Sequence, residues 1–351
     1  MDNLDPLKYT DLPPEKEIVS STDFLVQSKK PEVFWPLLLW SLFAILIIFV
    51  GLIITKPIKN TLQNIQQTNQ TQTQAVEKSS AVSNIEFPAV SIEGHSGFVW
   101  DIQNKKVLYQ KNSTDQLPLA SITKVMVAIV ALDIVPPLTT IEITPASLEI
   151  EGNHDLVAGE KWILKDLIKY SLTISSNNGM NAIASAIGAF EGNNTNSSLD
   201  SQYFVSIMNK YSKIIGLYNT KFFNETGLDL NGNISGAYST AEDAAKLLAY
   251  AIQKQPEVFE STTKKFFESK SLSNINHRTV NTNEVVGQIP GLIGSKTGYT
   301  DLAGGNLVVA FDADLNRPII ISVLGSSREG RFSDVLTLVK ATQKYLGVTQ
   351  K

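Results

Sequence analysis

Ser121 and Lys124 lie three residues apart in the run Leu119-Ala120-Ser121-Ile122-Thr123-Lys124. Positions three apart share a helix face, so this spacing brings a lysine amine up to a serine hydroxyl. Serine is a weak nucleophile until a neighbouring base removes its proton, and a neutral lysine can do so. A helix start also favours the negative charge that develops in such an attack. Ser261-Thr262-Thr263-Lys264 repeats the S-x-x-K pattern, so spacing alone does not choose between them. Their company does. Ser121 is followed by Ser175-Ser176-Asn177 and then by Lys296-Thr297-Gly298, whereas no S-x-N separates Ser261 from Lys296. Ser261 is therefore expected in a solvated helix or loop.

Each downstream element has a physical task. Ser175 can relay a proton between nucleophile, lysine and leaving amine. Asn177 can donate to a substrate amide and accept from Lys124. Lys296 supplies a fixed cation suited to a substrate that ends in a carboxylate. A second ammonium facing the same site also makes neutral Lys124 easier to reach. Gly298 lets an extended substrate approach the strand backbone closely, as in strand addition to a sheet edge. The amides of Ser121 and Tyr299 are then the expected oxyanion donors.

Composition narrows the alternatives. The net charge of -4 argues against a nucleic-acid binder, and the absence of cysteine excludes disulfides, thiolate zinc and cysteine nucleophiles. The three histidines, His95, His154 and His277, form no HExxH or HxH pattern and are expected in loops or at the surface. The base is thus sought outside histidine.

These residues need elements to hold them. Residues 34–55 carry no charge and are long enough to cross a hydrocarbon core of about 30 Å, so they are expected to be an uncleaved transmembrane helix. Residues 1–33 read as a short polar tail, and 56–86 as a flexible Gln/Asn/Thr-rich linker. Lys16, Lys29 and Lys30 before the span, against Lys56 and Lys59 after it, give a small bias toward a cytoplasmic N-terminus. Residues 87–351 carry the globular pattern. A hairpin from GFVWDI and KVLYQK comes first, followed by a buried helix after Pro118. Helices are predicted over 163–174, 178–187, 200–215 and from a Ser239/Glu242 capping box, then three apolar strands and a helix over 332–345. This order implies an α+β fold with a mainly antiparallel sheet flanked by helices, plus a helical subdomain.

From about Phe87 onward the chain resembles the serine D-Ala-D-Ala carboxypeptidases, the low-molecular-mass penicillin-binding proteins of the β-lactamase/transpeptidase-like group. The runs that carry the likeness are LYQKNSTDQLPLASITKVMVAIVALD, VAGEKWILKDLIKYSLTISSNNGMNAIA, FFNETGLDLNGNISGAYSTAEDAAKLL and PGLIGSKTGYTDLAGGNLV. The resemblance implies that Ser121 is acylated by the D-Ala-D-Ala end of a peptidoglycan stem peptide, with Lys124 as base and Ser175 and Asn177 assisting. It implies that Lys296 holds the terminal carboxylate, that Thr297, Gly298 and Tyr299 line the substrate strand, and that β-lactams trap Ser121. No metal or organic cofactor is implied, and the catalytic domain would lie outside the cytoplasm. Ser176-Asn177-Asn178 offers a shifted register, but Ser175/Asn177 aligns Asn178 with the acidic or amide residue that usually follows. Three rivals share the scaffold: a DD-endopeptidase, a class A β-lactamase and a non-catalytic penicillin sensor. The β-lactamase would need an E-x-x-L-N loop, and neither Glu191 nor Glu225 sits in one.

Overall fold

The computed structural model describes residues 86–152, 155–192, 197–314 and 316–347, all within the unit Asn84–Lys351. The tail, the expected span 34–55, nearly all of the linker and His154 lie outside the described residues.

Five strands make the principal sheet: β1 Ser96–Asp101, β2 Lys106–Lys111, β3 Leu292–Thr300, β4 Gly304–Asp312 and β5 Pro318–Ser326. They run β3-β4-β5-β1-β2, with every pairing antiparallel. The expected hairpin is β1–β2, and β3 forms one edge of the sheet. Strands β4 and β5 read as near-continuous apolar runs because both faces of the sheet are covered. On one face Val99, Val309, Ile321 and Val323 pack with Val335, Leu338 and Val339 of the last helix, Gly330–Tyr345. On the other, Phe98, Val308, Ala310, Ile320 and Leu324 join the core of the helical part. Each such side chain buried contributes about 2 kcal/mol of transfer free energy.

The helices are α1 Thr123–Ile134, α2 Leu164–Ile174, α3 Asn177–Gly192, α4 Ser197–Ile215, α5 Ala241–Lys254 and α6 Gly330–Tyr345, with single turns between. Helix α1 is buried from Thr123 through Leu132, which explains a sequence apolar on every side. It packs among α2, α3, α4 and α5 at the centre of the helical part, and α5 lies between it and the sheet. The cap of α5 is one residue later than expected: Thr240, not Ser239, accepts from the amide of Asp243 at 3.0 Å. Ser239 is instead in a short strand and shares its hydroxyl with Thr220 at 2.8 Å.

Two further expectations fail. Ser261 is buried in a 3-10 turn, where its hydroxyl accepts from Thr173 at 3.0 Å and donates to the Lys169 carbonyl at 3.2 Å. Its Lys264 points outward to Glu260, 2.9 Å away. His277 is no surface histidine either. It lies in a hairpin formed by Phe266–Lys270 and Asn276–Val280, buried 2.7 Å from Glu160 and enclosed by Trp162 and Tyr170. His95 fits the expectation, exposed beside Asp115.

Candidate active site

The nucleophile turn is built before α1 begins. Residues Ala120–Ile122 form a 3-10 turn, and Ala120 adopts a φ of 49°, strained for an L residue. Two contacts hold it there. Asn306 on β4, fully buried, donates to the carbonyls of Pro118 at 2.9 Å and Leu119 at 3.2 Å. Gly227, at φ 80°, backs the turn so closely that a Cβ would lie 2.0 Å from the Ala120 carbonyl oxygen. Only glycine fits both the dihedral and the space.

The geometry joins the serine to its lysine. The Lys124 amine, completely buried, lies 2.6 Å from the Ser121 hydroxyl and 2.7 Å from the Thr226 carbonyl. Burial pulls its pKa down to about 7, against the opposing pull of the Glu225 charge. A lysine whose pKa is drawn down toward neutral pH can give up its proton there, the condition for a general base. The Thr226 carbonyl is a partner that sequence reasoning missed, because a backbone acceptor leaves no side-chain signature. Asn177 was expected to accept from Lys124. Instead its Nδ2 donates to the Glu151 carbonyl at 2.7 Å, and its buried Oδ1 has no hydrogen-bond partner among the described residues.

The S-x-N element occupies the tight link between α2 and α3. Ser175 ends α2 in the left-handed conformation at φ 63°, which turns its side chain toward the sheet edge. There its Oγ accepts from the Lys296 amine at 2.9 Å. Ser176 is spoken for as the cap of α3, accepting from the Gly179 amide at 3.1 Å. Asn178 is equally committed, donating to the carbonyls of Ser147 and Ile150. Of the two serines, it is Ser175 that joins Lys296.

The K-T-G run lies on edge strand β3. Lys296 is buried and also donates to the Thr297 carbonyl at 2.8 Å. Burial, then the charges of Lys124 and Arg331, hold its pKa well below the ordinary lysine value. The Thr297 hydroxyl is 2.6 Å from that of Thr282, which fixes its rotamer. Gly298 lies against the nucleophile turn: a Cβ there would sit 3.1 Å from that of Ala120 and 3.2 Å from the Ser121 nitrogen. Tyr299 turns outward, half-exposed, with Arg328 over its ring at 4.9 Å. Arg331, which sequence reasoning also missed, is buried and donates to the Gly298 carbonyl at 2.8 Å. Its long-range partner gave no local pattern to read.

A serine with a buried amine base, a second buried amine on a sheet edge, and a serine joined to that amine can carry out acyl transfer without a metal ligand set. The D-alanyl-D-alanine carboxypeptidase family profile matches residues 79–328. The chain belongs to that family. Among its relatives, the Bacillus subtilis D-alanyl-D-alanine carboxypeptidase DacF is 32% identical over 59% of this chain and 51% of its own length. The chain thus spans about half of that relative. An Escherichia coli D-alanyl-D-alanine endopeptidase is 30% identical over 72% of this chain and 76% of its own. Penicillin-binding protein D2 of Listeria monocytogenes, solved in its ampicillin-bound form, superposes with a TM-score of 0.58 at 26% identity, covering 72% of this chain and 98% of that one. The carboxypeptidase family fold therefore accounts for the α+β architecture expected from the element order.

Proposed function

We propose that the chain is a serine D-Ala-D-Ala carboxypeptidase that trims peptidoglycan stem pentapeptides. The observation that carries this reading is the 2.6 Å contact between the Lys124 amine and the Ser121 hydroxyl, with the amine near neutrality. Lys124 takes the hydroxyl proton as Ser121 Oγ attacks the carbonyl carbon of the penultimate D-alanine. The amides of Ser121 and Tyr299 receive the oxyanion. Ser175 passes the proton to the departing amine, the peptide bond breaks, and D-alanine leaves. Water then adds to the Ser121 ester by the same route in reverse, releasing the shortened peptide and restoring the hydroxyl. Lys296 binds the substrate carboxylate, and binding restores the amine's full charge. Asn177, with its Oδ1 unpartnered among the described residues, accepts from the substrate amide. The edge of β3, through Thr297 and Gly298, pairs with the peptide backbone. A β-lactam offers the same carboxylate and a strained amide, so it acylates Ser121 in the substrate's place.

The experiment is release of D-alanine from a synthetic pentapeptide ending in D-Ala-D-Ala, with Ser121→Ala as the inactive comparison. A second reading, cleavage of D-Ala-containing cross-links, is favoured by the endopeptidase relatives of Escherichia coli and Pseudomonas aeruginosa. Purified cross-linked dimers as substrate distinguish the two.

We also propose that residues 34–55 anchor the chain in the membrane, with the catalytic domain on the extracytoplasmic side. The apolar length supports the anchor. The orientation rests mainly on where peptidoglycan lies. Protease treatment of intact cells should remove the catalytic domain. Protection until the membrane is breached would contradict the orientation.

A further inference from the structure

Glu225 is a buried carboxylate that the acyl-transfer scheme above leaves without a task. It stands next to Thr226, whose carbonyl holds the Lys124 amine at 2.7 Å. Its Oε1 accepts from the Asn181 side-chain amide at 2.8 Å. Asn181 is four residues after Asn177 on α3, so both project from one face of that helix. The loop that carries Glu225 is rigid. Asn224 accepts from the Gly227 amide at 2.7 Å and donates to the Leu228 carbonyl at 2.8 Å, and Gly227 is wedged against Ala120. A carboxylate fixed in this way beside the base is unnecessary for packing, since burying it without purpose costs free energy.

Resting on Lys124 as the base of Ser121, we infer that Glu225 is a positioning residue that acts through Lys124: its carboxylate, held at 2.8 Å by Asn181 and adjoining the Thr226 carbonyl that binds the amine at 2.7 Å, is the counter-charge to the buried base. The charged groups around Lys124 are Glu225 from this loop and Lys296 from β3, and Arg331 from α6 acts in turn on Lys296. Burial favours the neutral amine. Glu225 opposes it and raises the pKa of Lys124. Without that counterweight, Lys124 would be neutral at lower pH but a weaker base toward the serine proton. Glu225 thus trades the fraction of competent base against its strength.

The test is the pH dependence of acylation of the full-length chain by a fluorescent penicillin, for wild type, Glu225→Gln, Glu225→Ala and Glu225→Asp. Thermal melting of each variant accompanies the rates. Removing the charge should lower the acid limb by about one pH unit in the Gln and Ala variants. One unit below the wild-type limb, the rate relative to its own plateau then rises about fivefold. Glu225→Asp, which keeps the charge, should bring the limb back toward wild type. An unmoved limb in a folded Gln or Ala variant, with only the plateau reduced, would overturn the inference and leave Glu225 structural. Labelling that survives Ser121→Ala would overturn it differently, by removing Lys124 and Ser121 as the reacting pair.

Discussion

At the scale of single residues, the site is governed by two buried amines that cannot both be charged cheaply. Burial brings Lys124 to about 7, and burial with the neighbouring cations lowers Lys296 well below the ordinary lysine value. Protonated Lys124 cannot take a proton from Ser121, so acylation should fall about tenfold per pH unit below a limb near pH 7. The alkaline limb belongs to loss of charge from Lys296 and should lie below the usual lysine range of about 10.4. The two limbs are properties of the coupled pair. A rate profile of benzylpenicillin acylation from acid to alkaline pH checks this. A profile flat through neutrality would contradict a lysine base. At this scale the sequence was most informative about side chains and least about backbone. Ser121, Lys124, Ser175 and Lys296 were legible from order and spacing. The Thr226 carbonyl was not, because any residue type carries one. The expected Lys124–Asn177 contact failed because motif spacing fixes which residues meet in a cleft but not which hydrogen bonds they choose.

At the scale of elements, close backbone approach does the positioning. Gly227 has φ 80° and meets the Ala120 carbonyl, whereas Gly159 has the same φ with open space around it. Gly159→Ala should therefore cost only the left-handed strain, about 1 kcal/mol. Gly227→Ala adds a backbone clash and should cost about 2 kcal/mol or more. It should also slow acylation at least about tenfold, because the displaced loop moves the Thr226 carbonyl off Lys124. Equal effects in denaturant melts and acylation assays would refute the distinction. The hairpin 266–280 was missed, and the reason is physical. Its strands are short, charged and partly exposed, so they lack a strong apolar alternation. What fixes it is tertiary: His277 reaches Glu160 across a buried aromatic enclosure. His277→Leu strips that carboxyl of its partner and should destabilise the fold by about 3 kcal/mol in urea unfolding. A change below about 0.5 kcal/mol would mean the pair is not holding the hairpin. The one-residue error at the α5 cap has a similar origin: Ser239 and Thr240 are both good caps, and strand pairing claims the first.

At the scale of the whole molecule, one face of the sheet closes on α6 and the other on α5, with Ser121, Lys124, Ser175 and Lys296 gathered where edge strand β3 meets the Ala120–Ile122 turn. The antiparallel sheet was readable because the late strands are long and apolar, and the β1–β2 hairpin because it alternates around a short turn. Which S-x-x-K meets the K-T-G strand was readable from the downstream motifs, though the competitor's state was not: Ser261 is buried and hydrogen-bonded rather than solvated. The most direct measurement of the central claim is intact-protein mass spectrometry after incubation with benzylpenicillin, on wild type, Ser121→Ala and Ser261→Ala. A stable penicilloyl adduct should form on wild type and Ser261→Ala and vanish from Ser121→Ala. An adduct that persists in Ser121→Ala, or intact protein beside rapidly hydrolysed drug, would contradict it.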